Sequence, residues 1–188
     1  AKTDVYLDFF AGGDTTNFIL RLLADGSARF NGALTVDDRV LEAGTFAEIH
    51  VHDNSTAQSI PTGATYTKLT AYDSNGFSSN CTPDATNDKI TITKTGFYRV
   101  EGAFSFESGT ANVEFRVAAF LNGVEQDQVH LVRQVGTAND VGNANFTGII
   151  DVTSAPWDLD ARVRHDNGSS VDFTIVYGNL NVSYLGET

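Results

Sequence analysis

Two histidines separated by a single residue, His50-Val51-His52, are the side chains in this sequence best placed to do chemistry. Residues two apart on a β-strand point the same way, so the pair would present two imidazoles on one face, and imidazole nitrogen suits transition metals. The plainer reading, and the expected one, is of two strand histidines without a metal; His50 and His52 are the transition-metal candidates this sequence offers. Acidic turns at Asp37-Asp38, Asp53-Asn54, Asp73-Ser74-Asn75 and Asp158-Leu159-Asp160 supply the hard oxygens that calcium prefers. None continues into the D-x-[DN]-x-[DN]-G pattern with its bidentate Glu, and acidic loops in a chain of net charge -12 are ordinarily solvated.

Catalysis finds no support in the motifs. There is no G-x-S-x-G, no H-E-x-x-H and no glycine-rich phosphate loop between strand and helix. The lone Cys81 falls in a predicted loop without a signature for a partnering base. The expectation is therefore a protein that is not an enzyme and carries no cofactor. Five N-x-[ST] matches, from Asn54-Ser55-Thr56 to Asn181-Val182-Ser183, are what an Asn- and Thr-rich sequence generates by chance. Trp157, Tyr72 and Phe77 could stack on sugars or dock a partner, although a single Trp after Ala155-Pro156 more often plugs the end of a sandwich.

The elements that would hold these residues are strands. From Lys89 the sequence KITITKTGFYRVEGAFSFES sets Tyr98, Val100, Phe104 and Phe106 on one face and Arg99 and Glu101 on the other. NVEFRVAAFLNGVEQDQVHLV places Val113, Phe115, Val117 and Ala119 together and turns at Asn122-Gly123, where a type I′ turn needs φ > 0 twice. DLDARVRHDNGSSVDFTIVYG sets Leu159, Ala161 and Val163 against Asp160, Arg162 and Arg164, then returns with Val171, Phe173, Ile175 and Tyr177 on one face. The polar segment Asp73–Asp88 reads as a long surface loop. Residues 1–44, cut by Gly12-Gly13, Asp25-Gly26 and Asn31-Gly32, read as short β pieces, the stretch Phe18–Leu23 being too brief for a helix. The expected organisation is an attachment and trimerisation arm over 1–44 and a β-sandwich domain over 45–188.

Whole-chain properties narrow the partners. With net charge -12 and an isoelectric point near 4.5, the chain lacks the Lys and Arg that a phosphate backbone or an anionic membrane would require. Its apolar runs fall short of a membrane span, so neither nucleic acid nor membrane is an expected partner. One cysteine excludes an intramolecular disulfide, leaving packing or self-association to hold the sandwich. The absence of Met fits a removed initiator before Ala1 as well as a processed or engineered start.

The series AEIHVHDNSTAQSI, TGATYTKLT, ITITKTGFYRVEGAFSF, FRVAAFLNG and VDFTIVYGNLNVSYLG resembles the jelly-roll domains of tailed-bacteriophage virion proteins, which are similar to the tumour-necrosis-factor and complement globular-head fold. The local matches are T-G-F-Y-R-V from Thr95, F-L-N-G at Phe120–Gly123 and the ending Gly178–Gly186. DGSARFNGALTVDDRVL in turn resembles the stretches that join trimeric β structures in phage fibres. The resemblance implies an all-β, ten-strand antiparallel jelly-roll sandwich and a homotrimer. It implies a structural virion protein on the virion surface, decorating the capsid as a head fibre would or projecting as a short tail fibre, with a major capsid or tail protein as partner. A receptor-binding module for a host-surface glycan or protein is the alternative. Phage spikes of this kind hold iron through H-x-H motifs gathered on a three-fold axis, which is what the resemblance implies for His50 and His52 should they bind metal.

Overall fold

The computed structural model describes residues 44–187 throughout and, before them, the backbone of five strands. The chain divides into two compact units, residues 1–43 and 44–188. In the first, β1 (Val5–Phe10), β2 (Phe18–Leu23) and β3 (Ala28–Phe30) form an antiparallel sheet, and β4 (Leu34–Val36) pairs with β5 (Arg39–Leu41). The stretch Phe18–Leu23 is thus a strand, as its length requires. The three glycine turns and the acidic pair Asp37-Asp38 lie outside the described residues.

The second unit is all-β, two antiparallel sheets packed as a sandwich. One sheet runs β15 (Gly142–Val152), β12 (Gly96–Glu107), β17 (Val171–Gly186), β6 (Phe46–Val51), β9 (Ser74–Ser79), with the short β7 (Gln58–Ile60) also on β17. The other runs β10 (Cys81–Asp84), β11 (Lys89–Ile92), β16 (Trp157–His165), β13 (Val113–Leu121), β14 (Val124–Val135), with β8 (Thr67–Lys68) on β16. From β14 onward the chain crosses between sheets at each connection, the order a jelly roll requires.

Side-chain alternation generates the core. Along β12 every second residue from Gly96 to Phe106 is buried and the residues between them face out. The β13–β14 hairpin closes at Asn122 and Gly123 with φ of 48° and 81°, so both positions are left-handed, as the dipeptide predicts. Between the sheets, Phe173 of β17 lies 4.7 Å from Phe106 of β12 and 4.8 Å from Phe115 of β13 by ring centroids. Each such ring taken fully from water stabilises the fold by roughly 1.5–3 kcal/mol. Buried His165 is fixed at both nitrogens: Nε2 donates to the Ile60 carbonyl at 3.0 Å, and Nδ1 accepts from the Asn167 N–H at 3.0 Å.

Three details differ from the sequence reading. Asp73–Asp88 is not a surface loop. It supplies β9, β10 and a short 3-10 turn, Ala85–Asn87, capped by the Asp84 carboxylate, so the sandwich has twelve strands where ten are predicted. Both are edge strands with one hydrogen-bonded neighbour, and an edge strand needs no apolar alternation. Second, β16 and β17 do not form a hairpin; the turn at Asp166-Asn167-Gly168 carries the chain from one sheet to the other. Third, Tyr177 leaves the face shared by Val171, Phe173 and Ile175. Ser105 pairs with Tyr177 but Phe106 pairs with Ile175, so Val176 is a β-bulge. The extra residue reverses the alternation, and from there Leu180 and Val182 point inward instead.

The outer faces of the two sheets are treated differently. On the β13–β16 sheet the outward Ala118 and Phe120 are buried, because the segment between β7 and β9 lies over them. Tyr66 meets Phe120 edge-on at 5.1 Å, the Arg162 guanidinium sits 4.3 Å above the Phe120 ring, and the fully buried Leu69 donates its N–H to the Ala161 carbonyl. The outer face of the β12–β17 sheet has no such cover among the described residues. Phe46, Leu185, Phe97 and Ile149 stand there 39%, 46%, 40% and 52% exposed. The register places Phe46 opposite Ser183, Arg99 opposite both Ser183 and Ile149, and Phe97 opposite Gly186, so the four form a band across β6, β17, β12 and β15.

Candidate functional site

The other end of that open face carries a concavity of about 680 Å³. Its position follows from the Val176 bulge. By turning Tyr177 outward, the bulge brings a 44%-exposed aromatic ring onto a surface otherwise made of short polar side chains. Asn54 holds the bulge in place: its backbone N–H donates to the Val176 carbonyl at 3.1 Å and its Nδ2 to the Ile175 carbonyl at 2.8 Å. The Asn54 Oδ1 accepts from the Thr56 N–H at 3.0 Å, which locks the Asn54 side chain in a local turn. Just before it, Asp53 adopts a left-handed φ of 52° and accepts the Tyr177 hydroxyl at 3.2 Å. The negative charge of Asp53 and this hydrogen bond push the Tyr177 phenol up from its ordinary value.

His50 and His52 flank the concavity. Val51 points into the core, so both histidines face outward as the strand period predicts, His50 half-buried on β6 and His52 exposed beyond its end. Their rings are engaged differently. His52 meets Tyr177 edge-on at 5.3 Å, whereas His50 lies opposite Asn179 on one side and Ser74 on the other. Asp73 stitches the backbone here, accepting from the His52 N–H at 3.0 Å and donating its own N–H to the His50 carbonyl at 3.1 Å. The bond from the His52 N–H, helped by a hydrogen bond from Ser74 and less by the nearby histidines, outweighs burial and holds the Asp73 carboxyl below its ordinary range. Among the described residues, no group of three or more His, Cys, Asp or Glu side chains is placed to hold a metal within one chain.

Across the floor the small Ala103 leaves space, while Gly178 faces the core, where a Cβ would come within 2.7 Å of the buried Phe104. Polar side chains line the far wall and the lower rim. Ser105 Oγ donates to Asn143 Oδ1 at 2.7 Å, and Asn179 Nδ2 donates to Glu48 Oε1 at 3.3 Å. Asn145 stands opposite Ala103 on the edge strand β15.

The remaining sequence candidates are absorbed by the scaffold. Asp158 bonds Lys89 Nζ at 2.8 Å and Thr91 at 2.7 Å; these bonds outweigh the opposing effect of burial and lower its carboxyl. Asp160 is held by both Nε and Nη2 of Arg162. Cys81 begins β10 rather than lying in a loop, and burial pushes its thiol up, away from the reactive thiolate. Tyr72 is buried and Trp157 packs against the core, while Phe77 stands 86% exposed on the edge strand β9. Sequence reasoning missed Asn54 as the clasp of the bulge and missed Asn143, Asn145 and Asn179 altogether. The shift of inward residues from odd to even numbers along β17 was the available signal.

No family pattern and no curated protein matches the chain. Among solved structures it is similar to "PRD1 vertex protein P5", at 10% sequence identity and a TM-score of 0.49, over 76% of this chain and 97% of that one.

Proposed function

We propose that the protein is a structural virion component, a homotrimer whose jelly-roll domain projects from the particle and whose amino-terminal residues 1–44 attach it to a capsid or tail protein. The observation that carries self-association is the uncovered band of Phe46, Leu185, Phe97 and Ile149. Large apolar side chains gathered on an open sheet face are what an interface leaves visible in a single chain. Arg99 lies within the band and Glu101 two residues along the same outer face, so copies related by rotation can pair these opposite charges across the contact. The phage-like motifs support the virion assignment, with G-F-Y-R-V on β12 and Gly178–Gly186 on β17, adjacent interior strands of this face.

Assembly accounts for the chain better than catalysis does. The buried His165 and Asp160 are both consumed by structural bonds. Light scattering on the purified chain is expected to give three times its 20.2 kDa at micromolar concentration, and a stable 20.2 kDa species would overturn the reading.

A further inference from the structure

We propose that the concavity between Tyr177 and the edge strand β15 binds a neutral oligosaccharide. The site is built for a ligand with one apolar and one hydroxyl-bearing side. A pyranose presents C–H groups on one face, which pack on aromatic rings, and the Tyr177 ring is held ready for this by Asp53 at its hydroxyl and by His52 at 5.3 Å. Preorganised in this way, the ring loses little freedom on binding.

The opposite wall and the lower rim are amides and a carboxylate, which read vicinal hydroxyls through paired donors and acceptors. Because Ser105 occupies Asn143 Oδ1, the Asn143 NH2 group remains to donate. Because Asn179 donates to Glu48 Oε1, the Asn179 carbonyl and Glu48 Oε2 remain to accept. The small floor residue Ala103 lets a sugar ring approach the sheet. At about 680 Å³ the space falls within the usual range for small-ligand sites.

Charge selects the class. Glu48 lies in the site and the chain carries -12, so sulfated, phosphorylated and sialylated sugars are repelled and a neutral saccharide is not. The inference does not rest on the virion reading. A trimer that covered this end of the face as well would abolish binding while leaving the trimer intact, so the two ideas fail separately.

The test is saturation-transfer NMR on the full chain with maltotriose, cellotriose, chitotriose and mannotriose, with 3′-sialyllactose as the anionic control. At least one neutral trisaccharide is expected to receive saturation at up to about 10 mM, the weak affinity usual for shallow sites. Tyr177→Ala is expected to weaken it about tenfold by removing the stacking platform. Ala103→Tyr fills the floor from a solvent-facing position and should abolish binding, whereas Val124→Ala, at an exposed position on β14 of the other sheet, should not alter it. No transfer to any neutral sugar, a preference for the sialylated one, or unchanged binding in both Tyr177→Ala and Ala103→Tyr would overturn the proposal.

Discussion

Asn54 and Val176 are joined by a backbone hydrogen bond of 3.1 Å, and through it the turn that follows β6 sets which way Tyr177 faces. The Asn54 side chain reinforces this contact at the Ile175 carbonyl, 2.8 Å away. Asn54→Ala is expected to lower stability by about 1–3 kcal/mol, since a part-buried carbonyl loses its donor. Urea unfolding of the variant measures the loss, and an unchanged midpoint would mean that the backbone bond of residue 54 and the pairing with β12 hold the bulge without the side chain.

The apolar band is tested by charge. Ile149→Asp and Phe97→Asp place carboxylates on an exposed surface of the isolated chain, where the change should leave folding nearly untouched. Each is expected to drive the assembly to monomers by size-exclusion chromatography, with an unchanged circular dichroism spectrum. A trimer that persists in both variants would move the interface elsewhere.

A chain beginning at Thr45 is expected to fold, because the sandwich from β6 onward contains its own core and pairs all of its sheets internally. Loss of the β-sheet signal on removing residues 1–44 would make that segment an integral part of the domain.

Tyr72 buries its hydroxyl with no hydrogen-bond partner among the described residues, near the carboxylates of Asp88 and Asp160, and burial followed by these charges pushes the phenol far up. Tyr72→Phe removes an unpaired polar atom while keeping the ring. It is expected to raise stability by roughly 0.5–1 kcal/mol, seen as a higher Tm in calorimetry; a clear drop would reveal a partner for the hydroxyl.

Asp73 gives folding a pH dependence. Its folded carboxyl lies below the ordinary value of 3.8, so the contribution is fully present above that value and is lost as pH falls through the lowered one. Asp88 works in the opposite sense, its carboxyl raised chiefly by burial, so protonating it in acid relieves a cost. Asp73→Asn is therefore expected to unfold less steeply than the parent between about pH 4 and pH 2. An identical slope in chemical denaturation would show that the His52 N–H is satisfied equally well by an amide.

The sequence made the sandwich legible where burial is one-sided. The alternation from Tyr98 to Phe106 and the Asn122-Gly123 turn are local signals, and the structure follows both. β9 escaped notice because SNGFSS is polar on both faces and pairs only with β6 along an edge. The bulge escaped because Val176 and Tyr177 are adjacent apolar residues, which conceal the point where the inward set changes. Of the groove, only the shared face of His50 and His52 could be read locally. The side chains that complete it come from β12, β15 and β17, and their meeting depends on strand pairing that no short motif records.

The bulge also decides how this surface can diversify. Each groove residue on β17 alternates with one that builds the core, as Asn179 does with Leu180, so either can be exchanged without disturbing the other. Length has no such freedom. Deleting Val176 would cancel the reversal, turning Leu180 and Val182 toward water and driving Asn179 and Asn181 into the Phe-rich interior, while one added residue beyond it would do the same. New specificities can therefore arise on this face by substitution at Tyr177, Asn179, Asn143 and Asn145, and insertions are confined to the turns at the ends of its strands.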